Sequence, residues 1–218
     1  MQLTAVVPIK LNNERLPGKN TRILGGKPLL AYCLDTLLQV ERINERYVYC
    51  SDESIMDYLP KGVTILHRPA ELDMPTANFT QIFDSFSKAV YADVYIYAHA
   101  TAPFAKPETV NSEIDTVLSG EFDSAFCAER IQDFLWKDGM AINFNPENMP
   151  RSQNLPVIYR ETSGVYVFKR TVFETHRRRI GIKPYIAEVK RLEAIDINTS
   201  EDFQIAQTLL GGIKSGQI

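Results

Sequence analysis

Sulfur and imidazole are scarce in this chain. Its 218 residues include 3 cysteines and 3 histidines. Cys33, Cys50 and Cys127 lie far apart without Cys-x-x-Cys spacing. A disulfide framework and a zinc site are therefore both unexpected, and the thiols read as buried and free. An excess of positive charge is lacking too: 24 basic against 27 acidic residues give a net charge of −3. That argues against an overall electrostatic hold on nucleic acid or a membrane surface, while leaving room for a local basic pocket that takes a small polyanion. No run approaches the roughly 20 apolar residues of a membrane-spanning helix. The opening MQLTAVVPIK has too short an apolar stretch for a secretory signal, and the expected location is cytoplasmic.

Several familiar signatures are missing. Gly25-Gly26-Lys27 resembles the end of a Walker A loop, but Pro28 stands where Ser or Thr is required. No Gly-x-Gly-x-x-Gly follows a strand, and the Gly-x-Ser-x-Gly, His-Glu-x-x-His and EF-hand patterns are absent.

What is present has a clear rhythm. Hydrophobic residues make up 44% and charged residues 23%, the composition of a folded chain. Strand-like runs at Leu3–Pro8, Arg46–Ser51, Val63–His67, Asp93–Ala98, Asp123–Ala128, Gly164–Lys169 and Tyr185–Val189 alternate with helix-like segments. The latter are Pro28–Gln39, Glu53–Leu59, Ala77–Tyr91, Lys106–Ser119, Thr171–Arg179 and Ser200–Leu210. This predicts an α/β domain over 1–218 with a mostly parallel sheet covered on both faces. Ligands bind such sheets beyond the carboxyl ends of strands, so the loops after Pro8, Ser51, His67 and Ala98 are the first places to look. The alternation breaks at 131–159, which contains the only tryptophan, Trp136. This stretch reads as an Ω-loop, a lid or an interface arm. Tyr91, Tyr95 and Tyr97 read as strand and core packing, the basic run His176–Arg179 as a solvated helix end, and the tail GGIKSGQI as frayed.

Residues 8–20 (PIKLNNERLPGKN) are the most informative. Lys10, Arg15 and Lys19 are interleaved with Asn12, Asn13 and Asn20, around a Leu16-Pro17-Gly18 turn signal. Cations and amides in a turn-rich loop after a buried strand suit a triphosphate. A solvated polar loop is the plainer reading.

This segment, with LGGKPLL after it, resembles the opening motif of the acylneuraminate cytidylyltransferases, and its Leu-Pro-Gly-Lys element is shared with relatives that activate Kdo. Further matches follow in order: YCSD at 49–52, RPAEL at 68–72 with Thr76-Ala77, TAP at 101–103, RSQ at 151–153 with Tyr159–Glu161 and Gly164, and EAIDINTSEDF at 193–203. The resemblance implies a three-layer, Rossmann-like nucleotidyltransferase fold with a dimerisation arm at about 131–159. It implies attack by the hydroxyl of an acidic sugar on the α-phosphorus of CTP, with pyrophosphate leaving, Mg²⁺ as cofactor, and a homodimer. Lys10 and Lys19 match its phosphate-binding cations and Asn20 a nucleotide-orienting position. The backbone of Pro8, Ile9, Lys10 and Leu11 is a candidate reader of cytosine, Arg68 matches a base-contacting arginine, and Ala77 and Asn78 open a helix towards the nucleotide. Asp196 and Asn198 match its Mg²⁺-binding Asp-x-Asp, with Asn in the second place. The alternative for Asp196 is a strand-end residue that caps the following helix, a role that Ser200 or Thr199 can also fill. His99 replaces a glutamine on the acceptor side, where it either contacts the acceptor or is a hydrogen-bonded strand-end histidine. Thr101, Arg151, Gln153, Arg160 and Glu161 complete that side, with interface ion pairs as the alternative role. A Kdo-like, phosphonate or phosphorylated acceptor is the alternative substrate, and a non-catalytic nucleotide binder the alternative class.

Overall fold

Successive side chains of a strand face opposite sides of a sheet. In β1 (Leu3–Pro8), Leu3, Ala5 and Val7 enter one apolar cluster and Val6 the opposite one. A computed structural model describes residues 1–216, and in it this division runs across a seven-stranded sheet. After β1 come a short hairpin, β2 (Ile23–Leu24) and β3 (Lys27–Pro28), then α1 (Leu29–Leu38), β4 (Glu45–Cys50), β5 (Thr64–His67), α2 (Phe79–Ala89) and β6 (Val94–Ala98). The chain continues as α3 (Pro107–Leu118), β7 (Ser124–Ile131), a second hairpin of β8 (Trp136–Lys137) and β9 (Met140–Ala141), β10 (Ile158–Lys169), α4 (Arg170–His176), β11 (Pro184–Val189) and α5 (Ser200–Lys214). The sheet order is β11-β7-β10-β6-β1-β4-β5. Within it β10 pairs antiparallel with β6 and β7, while the remaining pairs are parallel.

The helices cover both faces, giving the expected three layers. Leu30, Leu34 and Leu37 of α1, with Ile114 and Val117 of α3, pack on one face. Phe83 and Phe86 of α2, with Phe173 of α4, pack on the other against Tyr49, Tyr95 and Tyr166. Phe83 lies edge-on to Phe173 at 4.6 Å and to Tyr95 at 4.9 Å between centroids, a geometry that aligns ring quadrupoles favourably. A third cluster joins Leu16, Leu24, Leu29, Ile197, Phe203, Ala206 and Leu210. It clamps the loop after β1 against α5. All three cysteines are buried and free, as expected.

Several boundaries differ from the sequence expectation, each for a local reason. Asn78 caps α2 from outside, accepting from the Gln81 amide at 3.1 Å, so Ala77 and Asn78 precede the helix. Arg177 adopts a left-handed conformation (φ 55°) and ends α4 at His176, short of Arg179. The run 176–179 is no solvated helix end, because Arg179 turns back onto the sheet. Tyr91 is 61% exposed, and its hydroxyl donates to Asp93, so it is not a core residue like Tyr95 and Tyr97. The expected frayed tail is helical through Lys214, with residues 217–218 outside the described part. Within 131–159 a true hairpin forms, with Asp138 and Gly139 at φ 51° and 78°. Asp-Gly is a strong two-residue hairpin signal, and it stood in the sequence.

One buried acid stands out in the core. Glu113 of α3 is fully buried, accepts from the Cys127 thiol at 3.1 Å and leaves Oε2 without a partner. Burial pushes its carboxyl up to about 8. The folded state thus holds a proton that the unfolded chain releases above its ordinary value near 4.5. Stability conferred by this group is fully present below that value and declines until about pH 8, with a slope of at most about 1.4 kcal/mol per pH unit. Denaturant titration of Glu113→Gln should therefore show a flatter stability profile than wild type over that window. Parallel profiles would mean that Glu113 is charged in the folded state.

Candidate active site

The loop after β1 is shaped by its own turn. Gly18 sits at φ 65°, a conformation that costs glycine little. The Lys19 amide donates back to the Leu16 carbonyl at 3.1 Å. With Leu16 held in the third apolar cluster, Lys19 is directed inward and is only 8% exposed. Its ammonium donates to the Ile197 carbonyl at 2.8 Å. Burial lowers its pKa, opposed by the charge of Asp196. Asn20, also buried, donates from its side chain to the Lys10 carbonyl at 2.9 Å and so braces the loop. Lys10, Asn12, Asn13, Arg15, Lys19 and Asn198 line one cavity of about 310 Å³.

The segment before α5 forms the opposing wall. The Ile197 amide donates to the Thr101 carbonyl at 2.9 Å, tying this wall to the end of β6. Asp196 Oδ2 accepts from the Asn198 side chain at 2.6 Å, while Asn198 Oδ1 accepts from Arg15 at 2.8 Å. Asp196 Oδ1 is buried without a partner. Capping of α5 falls to Thr199 and Asp202, not Asp196. Asp202 Oδ2 accepts from the Asn198 and Thr199 amides. Among the described residues no three His, Cys, Asp or Glu groups converge as metal ligands.

A second cavity of about 380 Å³ adjoins this wall. Arg160, Glu161, Thr162, Ser163, Asp196 and Asn198 lie on its lining. Arg160 pairs with Glu129. Glu161 accepts from the Tyr166 hydroxyl at 2.5 Å. His99 is half-buried at the end of β6, its amide bonded to the Gly164 carbonyl at 3.1 Å. There β10 shifts register between Glu161 and Tyr166. Burial, then the nearby Arg179 charge, push the His99 imidazole down to about 4.

The expected residues thus fall into groups. Lys10, Lys19, Asn20, Asp196 and Asn198 converge, with Thr101 behind them, and Arg160 and Glu161 share the adjoining cavity. Arg68 is 2% exposed, ion-paired with Asp73 and without a partner for its Nε. Near Pro8, the Ile9 amide is spent on the Tyr49 carbonyl and the Leu11 carbonyl on the Asn13 amide, leaving fewer backbone groups to read a base than expected. Arg151 and Gln153 are exposed in the 131–159 segment and line neither cavity. Sequence reasoning missed Arg179, which approaches His99 and Glu161 from the turn after α4; no spacing pattern marked it. It also missed Asp202, although Thr199 followed three residues later by an acid is a capping-box pattern.

The chain matches the cytidylyltransferase family model over residues 4–210. It belongs to the cytidylyltransferase family. N-acylneuraminate cytidylyltransferase A of Danio rerio is 23% identical over 215 residues, covering 94% of this chain and 50% of the relative. CMP-N,N'-diacetyllegionaminic acid synthase of Legionella pneumophila is 31% identical over 122 residues, covering 53% of each. The chain therefore spans about half the length of these curated relatives. A CMP:2-keto-3-deoxy-manno-octonic acid synthetase solved with CTP superposes with a TM-score of 0.72 at 17% identity, covering 98% of this chain and 100% of that one. The chain thus shares the three-layer fold of that synthetase. No helix among the described residues is long and apolar enough to cross a membrane.

The His99 imidazole is expected to stay neutral through physiological pH. Its ring resonances, followed by NMR, should titrate near pH 4 and move upward when Arg179 is replaced by Met. A midpoint near 6.5 would show an open, solvated ring.

Proposed function

We propose that this cytidylyltransferase moves CMP from CTP to a hydroxyl of an acidic, sialic-acid-like sugar. The hydroxyl oxygen bonds to the α-phosphorus, the bond to the β-phosphate oxygen breaks, and pyrophosphate leaves. The observation that carries this reading is the buried Lys19 ammonium, aimed between the loop after β1 and the Asp196 wall. A cation held there, out of water, is best placed to offset charge that develops on phosphate oxygens. Lys10 and Arg15 line the same cavity and supply the remaining positive charge. Asn20 supports catalysis by bracing Lys10. Arg68 and the Pro8–Leu11 backbone are assigned to the base, and Ala77 and Asn78 to the nucleotide's flank. His99, Thr101, Arg160 and Glu161 are assigned to the acceptor, joined by Arg151 and Gln153 if the arm brings them across an interface.

Mg²⁺ fits this site through one carboxylate. The unpartnered, buried Asp196 Oδ1 is a vacant hard-oxygen ligand, and Mg²⁺ often takes only one or two carboxylates beside substrate phosphates. Asn198 Oδ1, which accepts from Arg15, adds a neutral carbonyl beside it. The ion would supply charge neutralisation at the phosphates.

Two further parts of the reading concern the whole protein. The arm leaves Trp136 57% and Met140 69% exposed, surface that a second copy would cover in a homodimer. A cytoplasmic location, where nucleoside triphosphates are made, completes it. A Kdo-like acceptor is the second reading, favoured by the fit to the octonic acid synthetase over both full lengths.

The test is pyrophosphate release with Mg²⁺ from CTP, UTP, ATP and GTP against a panel of 2-keto acid sugars. CTP with at least one acid should turn over. Lys19→Ala should lower kcat by about a hundredfold or more while changing CTP affinity far less. An unchanged kcat would remove Lys19 from the reaction. Trp136→Ala should shift the protein from dimer to monomer in sedimentation velocity; a wild-type monomer would refute the interface role of the arm.

A further inference from the structure

The arginines that follow α4 part company. Arg177, in its left-handed turn, pairs with Asp84. Arg178 donates to the Gly181 carbonyl at 3.0 Å. The reversal brings Arg179 back over the sheet, its guanidinium carbon 3.7 Å from the centre of the Tyr166 ring, with Phe79 and Tyr97 at 5.4 and 5.9 Å. Nη2 donates to the Tyr166 hydroxyl at 2.9 Å, and Nη1 lies 3.4 Å from His99 Nε2. Stacking over the tyrosine fixes the plane of the fork and limits the rotamer freedom lost on binding.

The cation is incompletely neutralised. Its carboxylate partner, Glu161, stands at 3.3 Å, whereas a good charge-assisted bond is about 2.7–2.9 Å. The same Glu161 oxygen already accepts from the Tyr166 hydroxyl. A guanidinium offers five N–H donors, more than these contacts use. The side chain keeps 25% of its surface open beside Glu161, which lines the cavity shared with Asp196. A preoriented, weakly paired cation in contact with a residue of that lining is built to receive an anion.

We infer that Arg179 is a specificity-determining residue that binds an anionic group of the acceptor, carboxylate or phosphonate, in place of its long contact with Glu161; this rests on the acceptor-transfer reading above. An acceptor that presents a neutral group there leaves the guanidinium underpaired and is disfavoured. The aromatic stack sets direction and the charge sets selectivity, so lysine retains only part of the effect.

Calorimetry tests this on wild type, Arg179→Met and Arg179→Lys. The probes are N-acetylneuraminate and 3-deoxy-manno-octulosonate, each beside its neutral methyl ester, and phosphonoacetate beside its neutral trimethyl ester, with CTP affinity measured on every preparation. Wild type should prefer at least one acid to its ester by about tenfold or more. Arg179→Met should lose that preference with ester and CTP binding unchanged, and Arg179→Lys should keep part of it. The phosphonate arm distinguishes the two anion classes. An equal loss of acid and ester binding would mean that Arg179 only supports the fold of the site, and overturns the inference. So does an acid preference that survives Arg179→Met, or a wild type that binds CTP yet prefers no acid. An acid preference lost in Arg179→Met, in a protein that binds no CTP, would uphold Arg179 and sink the transferase reading.

Discussion

A buried ammonium needs an acceptor, and in this protein the Ile197 carbonyl provides it for Lys19. The penalty for taking a cation out of water is large unless it is hydrogen-bonded, so this contact fixes more than one side chain. Ile197 is in turn bonded through its amide to the carbonyl of Thr101. The loop after β1, the loop after β6 and the segment before α5 are thereby joined through a single residue. Leu16 and Ile197 share an apolar cluster beneath it. Loop residues far apart in sequence acquire one geometry because a charge and a leucine are buried together.

The Arg15–Asn198–Asp196 chain extends this logic to the open side. With an amide at 198, Asp196 supplies the one carboxylate of this pair and the second position is neutral. Two carboxylates in such proximity would repel and would demand a cation between them. The amide instead donates to one neighbour and accepts from the other. The wall is therefore held in place by its own hydrogen bonds, and Arg15 is drawn to it from the opposite loop.

The layered fold was legible because it rests on periodicity. Leu3, Ala5 and Val7 against Val6 already divide the two faces, and proline or asparagine at Pro28, Asn78 and Pro107 marks where helices begin. The loop with Lys10, Lys19 and Asn20 was legible for a second reason: its turn chemistry is local. What was hidden depends on reversals that bring remote residues together. Arg179 looks like the last residue of a basic helix end until the left-handed turn at Arg177 redirects it. The pairing of Arg68 with Asp73 and the isolation of Glu113 likewise follow from packing that no spacing encodes. The Asp138-Gly139 hairpin was written in the chain, but the surrounding asparagines and prolines obscured it.

The segment between β7 and β10 leaves and re-enters the sheet at adjacent points, since Ile131 and Ile158 are paired across neighbouring antiparallel strands. Its two ends are thus held together by the sheet whatever lies between them. Closing a loop already pinned at its base costs free energy that rises only with the logarithm of its length. Segments of other lengths are therefore compatible with the same strand register at this point of the sheet. The length and surface of that segment can in this way change while the sheet that carries it stays the same.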